Sequence, residues 1–306
     1  MKQEIAIVWF KRDLRLIDHE PLYFAQKQSL PVLLIYCFEP SVMKYDDSDV
    51  RHWRFVYQSL QDMQEQLALL QTQIYFFHEE ALTVFQKLRE HFHIKKLFSH
   101  QEIGNKITFD RDLSIHEFCS KNAIEWKEYQ HNGVIRRLQS RKNWEERWKQ
   151  KMNESPKWVN KQNWNSCVLE AADYASMKGP NLPPELTTEN KNFQPGGETN
   201  AWKYLHSFLN ERYVNYSKFI SKPQLSRKGC SRISPYLSYG NISMRMVYQS
   251  TMKHYEQAIN KRALSNFISR LFWHCHFMQK FEDECTMEFE NCNKAYDDLV
   301  KPKNEA

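Results

Sequence analysis

The chain has 306 residues, 41% of them hydrophobic and 14% aromatic, enough for one large or two ordinary domains with a real core, which excludes a disordered chain. It contains no run of eighteen apolar residues, and its start lacks a signal-peptide apolar region, so a soluble, cytoplasmic protein without membrane association is expected. The net charge of +6 is unevenly placed: residues 1–196 carry 27 basic and 26 acidic side chains, residues 197–280 carry 13 and 3, and residues 281–306 carry 3 and 8.

In chain order, the first third alternates short apolar runs with helical patterns. Ile5–Phe10, Val32–Phe38, Ile74–Phe77 and Lys96–Ser99 fit strands covered on both faces in a parallel sheet. Trp53, Val56, Leu60, Met63, Leu67 and Leu70 recur at steps of three and four, the mark of an amphipathic helix, and weaker helices fit residues 20–28, 80–92 and 110–122. Strand–helix alternation predicts a doubly wound α/β (Rossmann-like) domain over residues 1–132. Neither GxGxxG nor GxxxxGK[ST] is present, so the usual dinucleotide and triphosphate loops are absent. Lys11, Arg12 and Arg15 after the first strand either meet an anion or form internal ion pairs with Asp13 and Asp18.

Residues 133–196 change character. Trp144, Trp148, Trp158 and Trp164 stand among many basic residues, followed by Gly179-Pro180, Pro183-Pro184 and Pro195-Gly196-Gly197. This predicts a long connection wrapped over the surface and pinned by its tryptophans. From residue 197 to 306 the pattern is helical. Trp202, Leu205, Phe208, Leu209 and Tyr213 share one face; Val247, Met252 and Tyr255 follow a cap at Asn241 or Ser243; Leu264, Phe267, Ile268, Leu271, Cys275 and Met278 mark a third helix. A basic segment interleaved with aromatics, residues 197–280, suits nucleic acid or a phosphate-bearing cofactor, with a solvated basic face as the alternative. The seven cysteines are dispersed and without CxxC, which fits reduced thiols; Cys275, Cys285 and Cys292 match no common zinc or iron–sulfur spacing, and no metal is expected. The twelve histidines show no pattern.

Two segments carry chemistry. Cys230-Ser-Arg-Ile-Ser-Pro-Tyr-Leu-Ser-Tyr-Gly240 places hydroxyls and free backbone N–H groups ahead of a proline that opens a helix, a way to hold phosphate, with Ser234 as the expected cap. Arg270-Leu-Phe-Trp-His-Cys-His-Phe277 puts Arg270, Trp273, His274 and Phe277 on one helical stripe; an ordinary amphipathic helix with one polar side is the alternative.

Together with Val8-Trp-Phe-Lys-Arg-Asp-Leu-Arg-Leu-Ile-Asp18, and in that order, these segments resemble the photolyase/cryptochrome flavoproteins from about Ile5 to about Tyr296. The resemblance implies an α/β domain that carries a folate or deazaflavin antenna, then a helical domain that binds FAD. It implies that Cys230, Ser231, Arg232, Ile233 and Ser234 wrap the FAD diphosphate, where the family has Thr-Ser-x-Leu-Ser-Pro; the first hydroxyl is here a thiol. The family's upstream phosphate-contacting tyrosine is matched by Tyr216, with Tyr213 as the alternative. In the family's Glu-x-x-Trp-Arg-Glu-Phe pattern the first glutamate is here Arg270, the tryptophan is kept as Trp273, the arginine is His274 and the next glutamate is Cys275. Trp273 matches the tryptophan that packs against a pyrimidine dimer, and Arg270 and His274 would line the flavin or substrate side. In the repair enzymes the glutamate hydrogen-bonds the damaged bases, and an arginine cannot accept such a bond.

Family members continue beyond the length seen here into helices that hold the flavin ring. The resemblance therefore implies an incomplete helical FAD-binding domain with an exposed apolar patch, a polar tail at 295–306, and a site that a second chain could complete. The implied function is light-driven electron transfer from FAD to a pyrimidine lesion in damaged DNA held by residues 197–280, with Trp273 and Arg270 at the substrate. The alternatives are a non-enzymatic blue-light sensor or DNA-binding protein, and an inactive remnant.

Overall fold

Apolar runs that can be buried on both faces set the architecture. In the computed structural model, which describes residues 2–160 and 164–299, five parallel strands form one sheet in the order β3-β2-β1-β4-β5. They are β1 (Glu4–Phe10), β2 (Val32–Cys37), β3 (Ile74–Phe77), β4 (His93–His100) and β5 (Glu125–Tyr129). Alternate side chains of β1 enter opposite layers, as the two-residue period of a strand requires. Ala6, Val8 and Phe10 pack with Leu22 of α1 (Glu20–Gln26) and with Val56, Leu60 and Met63 of α3 (Val50–Ala68), which follows the short α2 (Pro40–Met43). Ile5, Ile7 and Trp9 pack with Val84, Phe85 and Leu88 of α4 (Ala81–His91) and with Ile115 and Phe118 of α5 (Lys106–Lys121). This is the expected doubly wound α/β layer. β5 was not expected, because Glu-Trp-Lys-Glu-Tyr alternates charge with aromatics; an edge strand paired only with β4 needs no continuous apolar run.

The surface connection expected after residue 133 is corrected in its first part. Trp144, Trp148 and Met152 form an i, i+4, i+8 stripe on α6 (Trp144–Asn153) and are buried in the helical core, where Trp148 meets Phe272 and Tyr248 edge-on. Trp158 is 57% exposed and pins nothing. The chain then returns to the sheet, bonding Val32 through Asn165 and Cys167, and forms α7 (Ala171–Met177) and α8 (Pro184–Thr187).

The helical part comprises α9 (Glu198–Asn210), a 3-10 turn over Arg212–Asn215, α10 (Tyr216–Phe219), α11 (Pro223–Gly229), α12 (Ser234–Ser238), α13 (Met244–Tyr255) and α14 (Lys261–Asp283). Leu205 and Phe208 of α9, Val247 of α13, and Leu264, Phe267 and Leu271 of α14 form its core. Ser243 caps α13 by accepting from the Met246 N–H, and Asn260 caps α14 from Ala263. Among the described residues, no helix is long and apolar enough to cross a membrane. Of the expected tail, residues 300–306 lie outside the described residues.

The loop after β1 fastens the two parts together, and it corrects the pairing expected for its basic residues. Lys11 pairs with Asp112 at 3.0 Å and Arg12 with Glu102 at 3.4 Å, rather than with Asp13 or Asp18. Arg15 donates to the carbonyls of Asp18 and Gly240. Asp18 is bound from the helical side, by Arg245 at 2.6 Å and by the Ser243 hydroxyl at 2.6 Å, and Arg245 holds its carboxyl low against the burial that pushes it up. Glu198 accepts from the N–H groups of Leu16 and Ile17, and the Asn241 amide donates to the Leu14 carbonyl. Gly240, at φ 67°, lies so close that an added Cβ would stand 2.2 Å from the Arg12 carbonyl oxygen.

Removing one charge from a buried pair leaves the other without compensation. Asp18→Asn keeps the side-chain shape and tolerates the φ of 55° found there. It is expected to lower stability in urea denaturation by about 3 kcal/mol; an unchanged midpoint would show that the pair contributes no net stability.

Candidate functional site

Strand order reverses between β1 and β4, so the loops leaving these strands diverge and open a crevice at the carboxyl edge of the sheet. A cavity of about 470 Å³ occupies it. Phe10, Tyr36, Trp53 and Tyr239 supply flat apolar walls, and Ser234, Pro235 and Ser238 of α12 close it from the helical side. Of its three acidic groups, Glu39 and Glu102 bind Arg111, at 2.8 and 2.7 Å, and Asp47 accepts from the Asn105 amide. Arg12 keeps 38% of its side chain exposed and lies over the Tyr239 ring. The crevice thus offers aromatic surfaces and one accessible guanidinium to a planar, partly anionic ligand.

On the other side of α12 the turn 230–234 has an unusual backbone. Arg232 is left-handed (φ 59°) and Ile233 right-handed (φ −88°, ψ −1°). Such a pair turns successive N–H groups into one concavity, which suits an anion. Among the described residues, the N–H groups of Ser231 to Ser234 donate to no protein acceptor. Arg212 fixes the turn from behind by donating to the carbonyls of Cys230, Ser231 and Tyr204. Because a trans peptide sets N–H opposite C=O, the N–H groups of Ser231 and Arg232 point away from that guanidinium.

Ser234 was expected to cap α12. It is instead the first helical residue; Ile233 holds the cap position without a side-chain bond, and among the described residues the Ser234 hydroxyl forms no hydrogen bond. Ser231 and Ile233 are buried, so Ile233 can serve a ligand only through its backbone. The half-buried Cys230 is pushed up by burial and stays a thiol.

Tyr216 joins this turn to α14. Its ring meets Phe267 at 5.7 Å, and the Asn266 amide donates to the Ser217 hydroxyl at 2.7 Å. Burial raises its phenol to about 12, with Cys230 raising and Arg270 lowering it, so these three groups lie within electrostatic range and Tyr216 remains a neutral donor. The alternative, Tyr213, is turned elsewhere, with its hydroxyl accepting from the Ile259 N–H. Arg270, Trp273 and Phe277 are exposed on α14; Trp273 and Phe277 are 42% and 60% exposed and lie 5.7 Å apart. His274 at the edge of this stripe is held neutral by burial, and its Nε2 has no partner. Tyr216 thus lies within electrostatic range of both Cys230 and Arg270, and the Trp273 stripe continues along α14 from Arg270.

The sequence model of the DNA photolyase family matches residues 6–156. Over residues 6–156 the chain is therefore similar to the DNA photolyases. A cryptochrome DASH of Synechocystis is 22% identical over 298 residues, which cover 89% of this chain and 59% of that protein. A bacterial class III photolyase from Agrobacterium tumefaciens shares the fold with a TM-score of 0.80 at 18% identity, covering 100% of this chain and 64% of the other. An archaeal photolyase from Sulfolobus tokodaii, solved with two FAD molecules, has a TM-score of 0.73 at 18% identity, covering 99% and 65%. The chain therefore spans about three fifths of these three relatives.

One cluster was missed from sequence. Asp13, His19, His100 and His131 converge beneath the loop after β1, although nothing in their spacing announces it. Asp13 Oδ2 accepts from His19 Nε2 at 2.8 Å and from His100 Nδ1 at 2.7 Å, while His19 Nδ1 accepts from the Leu22 N–H. These are hydrogen-bond separations, and they leave no room for an ion between the ligand atoms.

Burial lowers all three histidines, His100 to about 3, against the pull of Asp13. Asp13 stays well below the carboxylate range, because the histidines outweigh the burial that raises it. A histidine held neutral contributes stability that is complete above its unfolded value of 6.5 and is lost as pH falls toward its folded value. Glu198, raised to about 7 by burial, has the opposite slope: its contribution is present below 4.5 and lost as pH rises through 7. A difference measurement separates the two. Between pH 6.5 and 4.5, His100→Asn is expected to flatten the fall of stability by about 1.4 kcal/mol per pH unit. Parallel curves for the two proteins would exclude His100 as a proton-linked group.

Proposed function

We propose that this chain carries the antenna-type unit and the diphosphate side of the flavin site of a light-driven photolyase/cryptochrome flavoprotein. The observation that supports it is the 230–234 turn, whose N–H groups donate to no protein acceptor among the described residues and whose Cys230 lies within electrostatic range of Tyr216. The residues fit FAD: the backbone of Ser231 to Ser234 and the hydroxyls of Ser231 and Ser234 would hold its diphosphate, Tyr216 would donate to a phosphate oxygen, and Cys230 would lie beside them. When bound, FAD supplies light absorption and one-electron transfer. The chain's own residues bind and orient it. Trp273 offers a stacking surface to a base, Arg270 donates to oxygen atoms, and His274 remains a neutral imidazole.

In this reading residues 1–132 form the antenna-type unit, residues 133–196 connect, and residues 197–306 form the flavin-diphosphate side. The 470 Å³ crevice suits a planar antenna, a folate or deazaflavin, and the two FAD molecules in the archaeal photolyase make a second flavin a further candidate. The portion of the relatives beyond the matched span, continuous with this chain or in a second one, would close over Trp273 and Phe277. The substrate is a pyrimidine lesion in damaged DNA, drawn by the basic segment 197–280, in the cytoplasm. A blue-light sensor without repair activity is the second reading. Arg270 favours it, because a guanidinium cannot accept a hydrogen bond from damaged bases.

The purified chain, incubated with excess FAD and gel-filtered, is expected to retain a flavin absorption band with resolved vibronic structure. Ser234→Asp, which sets a carboxylate against the diphosphate, is expected to weaken FAD binding at least tenfold. A colourless wild-type protein would remove the reading that this half of the site suffices. With flavin bound, light-dependent loss of dimers from irradiated DNA supports repair, whereas unchanged lesions with light-dependent partner binding support the sensor.

A further inference from the structure

The Arg232 side chain does not enter the 230–234 concavity. It faces a second, more open cavity of about 500 Å³ between α9, α11 and the turn before α12. Lys203, Arg212, Arg227, Lys228 and Arg232 line this groove with Tyr204, and none of its lining residues is a carboxylate or belongs to α14. Among the described residues, none of the five cations forms an ion pair. Elsewhere Lys11, Arg111, Arg136 and Arg245 each hold a carboxylate. Arg212 sits half-buried at the back, bonded only to hydroxyl and carbonyl oxygens; burial and the charge of Arg232 both lower its affinity for its proton. The other four cations are exposed and come from separate elements, Lys203 from α9, Arg227 and Lys228 from α11, and Arg232 from the turn. A solvated helix face would draw its charges from one element; here three converge on one groove.

We propose that this groove binds successive phosphates of a nucleic-acid strand, on a surface separate from both the sheet-edge crevice and the Arg270–Phe277 stripe. Five uncompensated cations match a polyanion, because phosphate contacts release condensed counterions and need no fixed geometry. The groove is open, and Tyr204 is its single aromatic ring, so bases are not sandwiched and binding is independent of sequence. This inference deepens the DNA part of the proposed function and rests on it only for the choice of a strand over free polyphosphate.

Fluorescence anisotropy with a labelled oligothymidylate, and calorimetry with inorganic tripolyphosphate, test it without any flavin present. The triple variant Arg227→Gln, Lys228→Gln, Arg232→Gln changes only exposed side chains and is expected to melt like wild type. It should weaken oligonucleotide binding at least tenfold at low salt and reduce the slope of log affinity on log salt by roughly 2, at about 0.7 per phosphate contact. Lys261→Gln with Arg262→Gln, an exposed pair at the start of α14, should leave both quantities unchanged. Equal losses in the two variants, or no loss in the triple variant, would overturn the site. Tripolyphosphate binding that the triple variant abolishes, while wild type ignores the oligonucleotide, would keep the phosphate groove and overturn both the strand and the DNA reading.

Discussion

The interaction on which the rest of the molecule depends is the ion pair between Asp18 and Arg245, at the centre of the loop that leaves β1. Asp18 is 2% exposed, and its carboxylate takes bonds from Arg245, from Ser243 and from the Lys157 N–H. A charge so deep is tolerable only because each acceptor position is filled, and the partners come from parts of the chain more than a hundred residues away. Glu198 and Gly240 hold the same loop from the same side. The sheet and the helices are therefore joined by polar groups that specify one orientation, where a purely apolar contact would permit sliding.

That orientation sets the geometry of both candidate ligand sites. α12 is at once the far wall of the sheet-edge crevice and the end of the 230–234 turn. Its position is fixed at the C-terminal side by Gly240 against Arg12 and by the Leu14 N–H bonded to the Tyr239 carbonyl. A shift in the loop after β1 would move α12, changing the crevice and the turn together. Two ligands bound on either side of this five-residue helix would be held at a constant separation.

The doubly wound sheet was legible because its first three strands are apolar runs with few alternatives, and Trp53 to Leu67 could hardly be anything but a helix. β5 was hidden by its charges, which an edge strand tolerates. Trp144, Trp148 and Met152 were hidden by the basic residues between them, since a helix needs only one apolar stripe. Of the candidate site, the order of motifs in the sequence pointed to the 230–234 turn and the Arg270 stripe, but not to how the turn works. The left-handed Arg232 is a conformational fact that an arginine does not announce, and the Ser234 hydroxyl, unbonded among the described residues, follows from a helix that starts one residue earlier than expected. The histidine cluster was illegible because its members come from the loop after β1, the end of β4 and the segment after β5, and only the fold unites them.

Charge has been handled in opposite ways in the two parts of the chain. In the α/β part basic residues are matched almost one for one by carboxylates, and the loop after β1 uses that balance to bury Lys11, Asp13, Arg15 and Asp18 without net field. Residues 197–280 have three acidic side chains against thirteen basic ones, and Glu198, one of the three, is committed to backbone N–H groups. Internal pairing is thus unavailable to most of these cations, and their repulsion is a standing cost that folding must offset. A chain that needed only solubility could have alternated signs, as residues 1–196 do. Retaining a one-sign surface, with five of its cations turned toward one groove, is what the electrostatics of a phosphate-rich partner would require.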